Sequence, residues 1–421
     1  MPQHHPHRAP HAVAAFVATL LATAATVQAD PPTSESSQRD LASTPAWVDA
    51  ERDVLRNHRQ LTFPDRFVKA GEAYFSPDMR QVVFQAIERP EGDAAPDEFY
   101  AMFVADFDLD EGGRISGLSN VRRLSPPGSA NTCGWFHPAD PHRVLFGSTI
   151  TSPTESAPPG YQRGTGRYRW MFPPGMRIVE ADLRTADGTA GSLKLLAGDG
   201  DAYVAEGSWS ADGRDLLYCS LKSGQGDLVV KNLDSGEEIA IVAVPGYDGG
   251  PFFSPDGDRI CYRSDRHGNN LLQIFVAELD RDDAGRIRGV RREHQVTDND
   301  DVNWAPYWHP GGRHLAFASS AEGHRNYEVF LVDAADLADS TPPQARYGTA
   351  MRRITDAAGA DVLPVFSPDG RFLLWTAQRG DDASSQLWIA DFVMDLEAPS
   401  ARMPDYRSDR VGSREAPRDD Q

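Results

Sequence analysis

One short pattern recurs six times along this chain: an aromatic residue, a Ser or His, a Pro or Ala, a turn pair, then a hydrophobic run. The copies read Tyr74-Phe75-Ser76-Pro77-Asp78, Trp135-Phe136-His137-Pro138, Ser208-Trp209-Ser210-Ala211-Asp212-Gly213, Phe252-Phe253-Ser254-Pro255-Asp256-Gly257, Tyr307-Trp308-His309-Pro310-Gly311-Gly312 and Val365-Phe366-Ser367-Pro368-Asp369-Gly370. The anchor aromatics at 75, 136, 209, 253, 308 and 366 are spaced by 61, 73, 44, 55 and 58 residues. A period in this range with strands in every unit defines a propeller or a β array.

Each anchor is followed by a turn and an apolar strand such as Gln81-Val82-Val83-Phe84 or Phe372-Leu373-Leu374-Trp375. Asp-Gly and Gly-Gly between β-prone runs signal tight hairpins, so the first two strands of each unit pair antiparallel. Met79 in repeat one and Ala139-Asp140-Pro141-His142 in repeat two replace the glycine turn, and a different turn geometry is expected at both. Third strands follow at 99–105, 178–183, 228–233, 273–279, 327–334 and 387–392, and fourth strands end in pieces such as Arg353-Ile354-Thr355. The last unit lacks a fourth strand after Phe392, while Arg59-Gln60-Leu61-Thr62-Phe63 reads like the fourth strands of the other units. Pairing it with 386–391 closes the ring and removes two exposed sheet edges. The fold class expected is all-β: a six-bladed β-propeller of four-stranded antiparallel blades, closed by an N-terminal strand.

The Phe253-Ser254-Pro255-Asp256-Gly257 turn with Ser264-Asp265-Arg266-His267-Gly268-Asn269, and the second turn Phe366-Ser367-Pro368-Asp369-Gly370, resemble the TolB-like family of β-propellers across residues 56–394. The N-terminal α/β domain of the family's namesake is expected to be missing, since residues 30–55 alone separate the cleavage point from the ring. Propellers of this type serve as binding proteins, lyases and accessory domains of peptidases. With no Gly-x-Ser-x-Gly elbow and no His-Glu-x-x-His, full-length peptidases are excluded as counterparts.

The apolar, uncharged stretch 13–27 lies behind Arg8, and Val27-Gln28-Ala29 has the small residues of a cleavage site. Residues 1–29 therefore read as a signal peptide cleaved before Asp30, too short for a span of about 20 apolar residues. A periplasmic or secreted protein without a transmembrane segment is expected. Residues 30–55 read as a linker and short helix, the helical stretch running from Trp47 to His58, with 56–396 as the propeller and 397–421 as a disordered tail. The net charge of −20 argues against nucleic acid as a partner and favours cationic or neutral ones. Cys133, Cys219 and Cys261 read as unpaired core thiols, with a Cys219–Cys261 bridge as the alternative.

The loops entering the first strands and those leaving the second strands open on one face, around the central funnel. Five residues before the anchors stand Asn131, Asp248, Asn303 and Asp361, and three before stand Glu72, Cys133 and Glu206. Convergence of Glu72, Glu206, Asp248 and Asp361 on the axis would suit Ca²⁺ or another divalent cation, and backbone bonding by these residues is the alternative. The blade-four loop adds Arg266, His267 and Asn269, and the blade-five loop adds His324, Arg325 and Asn326. The long step in repeat two holds an insertion with Arg163, Arg167, Tyr168, Arg169 and Trp170, the composition of a binding hot spot. The expectation is a monomeric binding module, rather than an enzyme, that recognises a protein, peptide or glycan at the funnel face. The alternative is a metal-dependent polysaccharide lyase or hydrolase using His267 and His324, as the resemblance to oligogalacturonate lyases implies, although an acidic funnel repels a polyanion.

Overall fold

The computed structural model describes residues 45–153, 160–164, 167–171, 173–334, 351–380 and 382–396, with 160–164 and 167–171 described by their backbone. Residues 1–44 and 397–421, where the sequence reading put a signal peptide, a linker and a tail, lie outside the described residues. Among the described residues six four-stranded antiparallel sheets form the blades of a β-propeller, and a separate two-stranded hairpin lies within the blade-two insertion. The first strands are Phe67–Phe75, Asn131–His137, Val204–Trp209, Asp248–Phe253, Asn303–Trp308 and Asp361–Phe366. Each second strand is apolar at its centre and buried there, as in Val82 to Phe84 and Leu373 to Trp375, because neighbouring blades cover both of its faces.

The repeated turn is held by its own side chains. Ser76, Ser210, Ser254 and Ser367 each donate to the aspartate two residues on, and the same Ser Oγ accepts the backbone N–H five residues on, at 2.9–3.0 Å. In the two repeats with histidine instead, Nδ1 of His137 and His309 accepts the N–H two residues on, at 3.2 and 3.1 Å. This local bonding is why a short motif recurs where the rest of each blade has diverged. Met79 departs from expectation by keeping the geometry of its glycine counterparts: its φ is 58° against 71° to 76° at Gly213, Gly257, Gly312 and Gly370. Repeat two does turn differently, its strands being separated by Pro138 and Ala139 alone.

The fourth strand of blade six comes from the N-terminal end. Leu55–Gln60 pairs antiparallel with Gln386–Phe392, with Arg59 opposite Ile389 and Gln60 opposite Trp388. The sequence reading put this strand at 59–63. The ladder runs earlier because Leu55 and Leu61 are the apolar residues buried at its two ends, whereas Phe63 is 50% exposed. Beyond Gln60, Leu61 N–H still donates to Leu387 O at 2.8 Å, and Leu387 N–H to Thr62 Oγ1 at 2.8 Å. The helix is correspondingly short, Ala46–Glu51, and Glu51 reaches the buried Arg379 of blade six. Among the described residues no helix is long and apolar enough to cross a membrane.

Candidate functional site

All six first strands carry a β-bulge at one equivalent place, three residues before the anchor aromatic. The register slips between Gly71 and Ala73, Thr132 and Trp135, Ala205 and Ser208, Gly249 and Phe252, Trp304 and Tyr307, and Val362 and Val365. The bulged residues Glu72, Cys133, Glu206, Gly250, Ala305 and Leu363 have φ between 42° and 60°. Left-handed backbone costs a non-glycine residue about 1 kcal/mol or more, and here it turns all six residues onto the propeller axis, where they line one central cavity.

The bulge also inverts the alternation of facing. Of the residues five before the anchor, expected on the axis, Asp248, Asn303 and Asp361 bond within the blades instead, while Asn131 stays at the cavity wall. Asn131 donates to the carbonyls of Tyr100 and Ser129, and Asn303 to Gln273 and Asn299. Asp248 accepts from Arg266 at 3.2 Å, and Asp361 is held by Arg379 at 2.7 Å. Of the four carboxylates expected to converge, Glu72 and Glu206 line the central cavity, whereas Asp248 and Asp361 pair with Arg266 and Arg379 from the loops that follow the second strands. Among the described residues no group of three or more His, Cys, Asp or Glu is placed to hold a metal ion.

One residue before the anchor, a second ring closes the axis. Tyr74, Trp135, Phe252 and Tyr307 all touch one another, with ring centroids 5.0–6.2 Å apart. The channel is plugged at this level. Around Glu72, Cys133, Glu206 and Leu363 lies a cavity of about 340 Å³. Its walls come from both loop sets the sequence reading put on this face: Tyr203, Val302 and Trp304 from loops and strands entering the blades, and Tyr100, Met176 and Tyr327 from segments after second strands.

The chemistry of the floor centres on two carboxylates and one guanidinium. Glu206, 7% exposed, accepts from Tyr203 Oη at 3.1 Å, Tyr247 Oη at 2.8 Å, the Gly250 N–H and Arg263 Nη2 at 3.1 Å. Arg263 lies opposite Gly249 on the neighbouring strand. A Cβ on Gly250 would stand 2.0 Å from Arg263 Nη1, and one on Gly249 2.0 Å from Tyr247 Oη. These two glycines therefore make the space that Arg263 and Tyr247 occupy. Glu72, 8% exposed, accepts from Tyr74 Oη and Thr132 Oγ1, both at 3.2 Å. Burial pushes the Glu72 carboxyl up, and the charge of Glu206 adds to this against the opposing bond from Cys133 and charge of Arg263. Burial, then the two carboxylates, also hold the Cys133 thiol far above its usual range, so it stays protonated.

The remaining expected site residues fall elsewhere. The Arg266 guanidinium is engaged by Asp248 and by Glu293 at 2.7 Å, and it stacks 4.1 Å from the Phe275 ring, so it is a strut of blade four. His267 is exposed and bonds Gln295 at 3.3 Å; Asn269 accepts the Leu271 N–H. His324 is exposed and bonds Tyr327 Oη at 3.4 Å, Arg325 is exposed, and Asn326 bonds Glu328 and the Gly359 N–H. Tyr327, next to the blade-five loop, lines the cavity. The blade-two insertion forms a hairpin, Gly160–Gly164 with Arg167–Met171, in which Arg163 pairs with Tyr168 and Tyr161 with Trp170. The side chains of Arg163, Arg167, Tyr168, Arg169 and Trp170 lie outside the described residues, while Pro173 and Met176, where the insertion returns, line the cavity. The three thiols are free; Cys219 donates to Asp248 O at 3.2 Å and Cys261 contacts Pro306 O.

No family model matches the chain. Its relatives include the uncharacterized protein Atu1656 of Agrobacterium fabrum, 30% identical over 131 residues, or 31% of this chain and 40% of that protein. A TolB homolog of Chlorobium chlorochromatii is 28% identical over 195 residues, 46% of this chain and 38% of the relative. Dipeptidyl-peptidase 5 of Porphyromonas gingivalis is 28% identical over 156 residues, 34% of this chain and 22% of that protein. The chain thus spans less than half the length of these curated relatives. The crystal structure of TolB from Acinetobacter baumannii aligns with a TM-score of 0.47 at 16% identity, over 74% of this chain and 64% of that one. With its repeated turn and six blades the chain folds as a six-bladed β-propeller, and over part of its length its sequence is similar to TolB homologues.

Proposed function

We propose that the chain is an exported, periplasmic binding propeller that takes a segment of a protein or peptide into the dead-ended cavity on its funnel face. The observation that carries this reading is the pairing of a 340 Å³ cavity with an aromatic plug across the axis. A ligand has one way in and meets a floor of fixed polar groups, the arrangement of a recognition pocket rather than of a conduit. The apolar N-terminal segment and the kinship to Tol-Pal system protein TolB of Francisella tularensis support the compartment. Tyr and Trp on the walls supply contact area at low entropic cost.

Selection of random peptides displayed on phage tests the reading. Peptides retained by the wild type are expected to bind Val362→Trp at least about tenfold more weakly, a loss of about 1.4 kcal/mol, because Val362 lines the cavity and is half-buried. The melting temperature of that variant is expected to stay within a few degrees of the parent. Retention of no peptide, or equal binding by the filled variant, overturns the proposal.

A further inference from the structure

We infer that the cavity recognises an organic cation, the ammonium of a lysine side chain or chain end, which takes the place of a proton at the floor. This rests on the peptide-binding reading above and specifies what that segment carries. The two floor carboxylates are not equivalent. Glu206 has Arg263 bonded to it, whereas Glu72 is bonded by two hydroxyls and the Cys133 thiol, and no Lys, Arg or His bond to it occurs among the described residues. One guanidinium therefore serves two carboxylates. Gln85, 8% exposed, lines the same cavity with a buried amide oxygen that has no hydrogen-bond partner. The unmet groups are acceptors, and an ammonium offers three donors and no acceptor. Tyr100, Trp304 and Tyr327 add ring faces that attract cations, and Lys69, which is not a lining residue, already sits 4.4 Å from the Tyr100 ring centroid. A hard metal ion fits less well, since it takes six to eight oxygens and here meets two carboxylates, one of them already bonded to a guanidinium.

Burial gives the exchange its proton. Glu72 is surrounded by Tyr74 on its own strand, Cys133 and Thr132 from blade two, Glu206 from blade three, Arg263 from blade four and Thr376 from blade six, and Tyr100 lies within electrostatic range. Desolvation favours the neutral acid in the empty cavity. An arriving ammonium keeps its own protons, pairs with the Glu72 carboxylate, and sends the carboxyl proton to solvent. Affinity accordingly rises with pH until Glu72 is ionised in the free protein, then levels off.

Calorimetry with three capped amino acids, Nα-acetyl-lysine N-methylamide and its norleucine and glutamate analogues, tests the inference. The lysine compound is expected to bind at least about tenfold more tightly than the norleucine compound, in keeping with a charge-assisted bond, and the glutamate compound not at all. Repeating the titration in buffers of different ionisation enthalpy should reveal proton release below the plateau. Glu72→Gln is expected to abolish both the lysine preference and the proton release at an unchanged melting temperature. Leu363→Lys, which puts a resident ammonium on the same ring of bulges, should block the lysine compound independently. Equal binding of lysine and norleucine overturns the cation inference and leaves the peptide-binding reading standing. Absence of lysine binding overturns it too, and the phage selection then decides whether peptide binding falls with it.

Discussion

Arg379→Met is expected to destabilise the propeller by about 3–5 kcal/mol, the cost of stranding buried charge by removing its partner. The Arg379 side chain is fully buried, as is that of Asp361, and Glu51 is 1% exposed. Its guanidinium donates to Glu51 at 2.6 and 3.0 Å and to Asp361 at 2.7 and 3.0 Å, and it lies 4.4 Å from the Trp47 ring centroid and 5.0 Å from that of Trp375. Met fills similar volume but leaves two carboxylates facing each other in a dry site. Burial on its own would raise the Glu51 carboxyl; the bonds from His58 and Arg379 outweigh it and hold the group below the usual range. In the wild type that contribution is present at neutral pH and is lost as pH falls through the lowered value. In the variant both carboxylates lose their cation and take up protons more readily, which relieves the penalty in acid. The stability gap measured by urea unfolding is therefore expected to be largest near neutral pH and to narrow towards pH 4. Adding Glu51→Gln and Asp361→Asn to Arg379→Met should recover most of the loss. A gap that ignores pH, or a triple variant no better than the single one, would mean that packing rather than charge governs the site.

The architecture was legible because the signal for it is local. Ser, Asp and Gly at fixed offsets bond one another within six residues, so the motif survives without reference to the rest of the blade. Most third strands were found within a residue or two of their positions for a similar reason: each is apolar and bounded by polar loops. The floor of the cavity was legible only in part. The bulge that turns Glu72, Cys133 and Glu206 onto the axis is occupied by Glu, Cys, Glu, Gly, Ala and Leu in the six blades, so no residue type announces it. Without the bulge, simple alternation assigns Asp248 and Asp361 to the axis, and that is where the reading failed. Arg263 belongs to the strand Arg259–Ser264, just before the loop that the sequence reading put on the funnel face. The signal that marks it is Gly249-Gly250 on the facing strand, where two missing side chains leave room for one long cation.

Deleting residues 45–63 is expected to abolish cooperative folding altogether. The deletion removes the fourth strand of blade six and leaves Gln386–Phe392 as an unpaired edge, with its N–H and C=O groups open to pairing with other chains. It also uncovers the apolar sites filled by Val54, Leu55 and Leu61, each worth about 1.5–3 kcal/mol when fully buried. Glu51 leaves with the segment, so Arg379 and Asp361 lose a partner in the interior. Together these losses reach the whole stability of an ordinary domain, about 5–15 kcal/mol. The truncated protein should therefore show a broad, non-cooperative thermal transition and elute as aggregates in size-exclusion chromatography. A synthetic peptide spanning 45–63, added in excess, should restore a sharp transition by adding the missing strand, and the same peptide with Leu55 and Leu61 replaced by Ser should not. Truncated protein that melts in one transition at the parental temperature would mean that blade six is complete without its N-terminal strand, and that the ring is held by its blade interfaces alone.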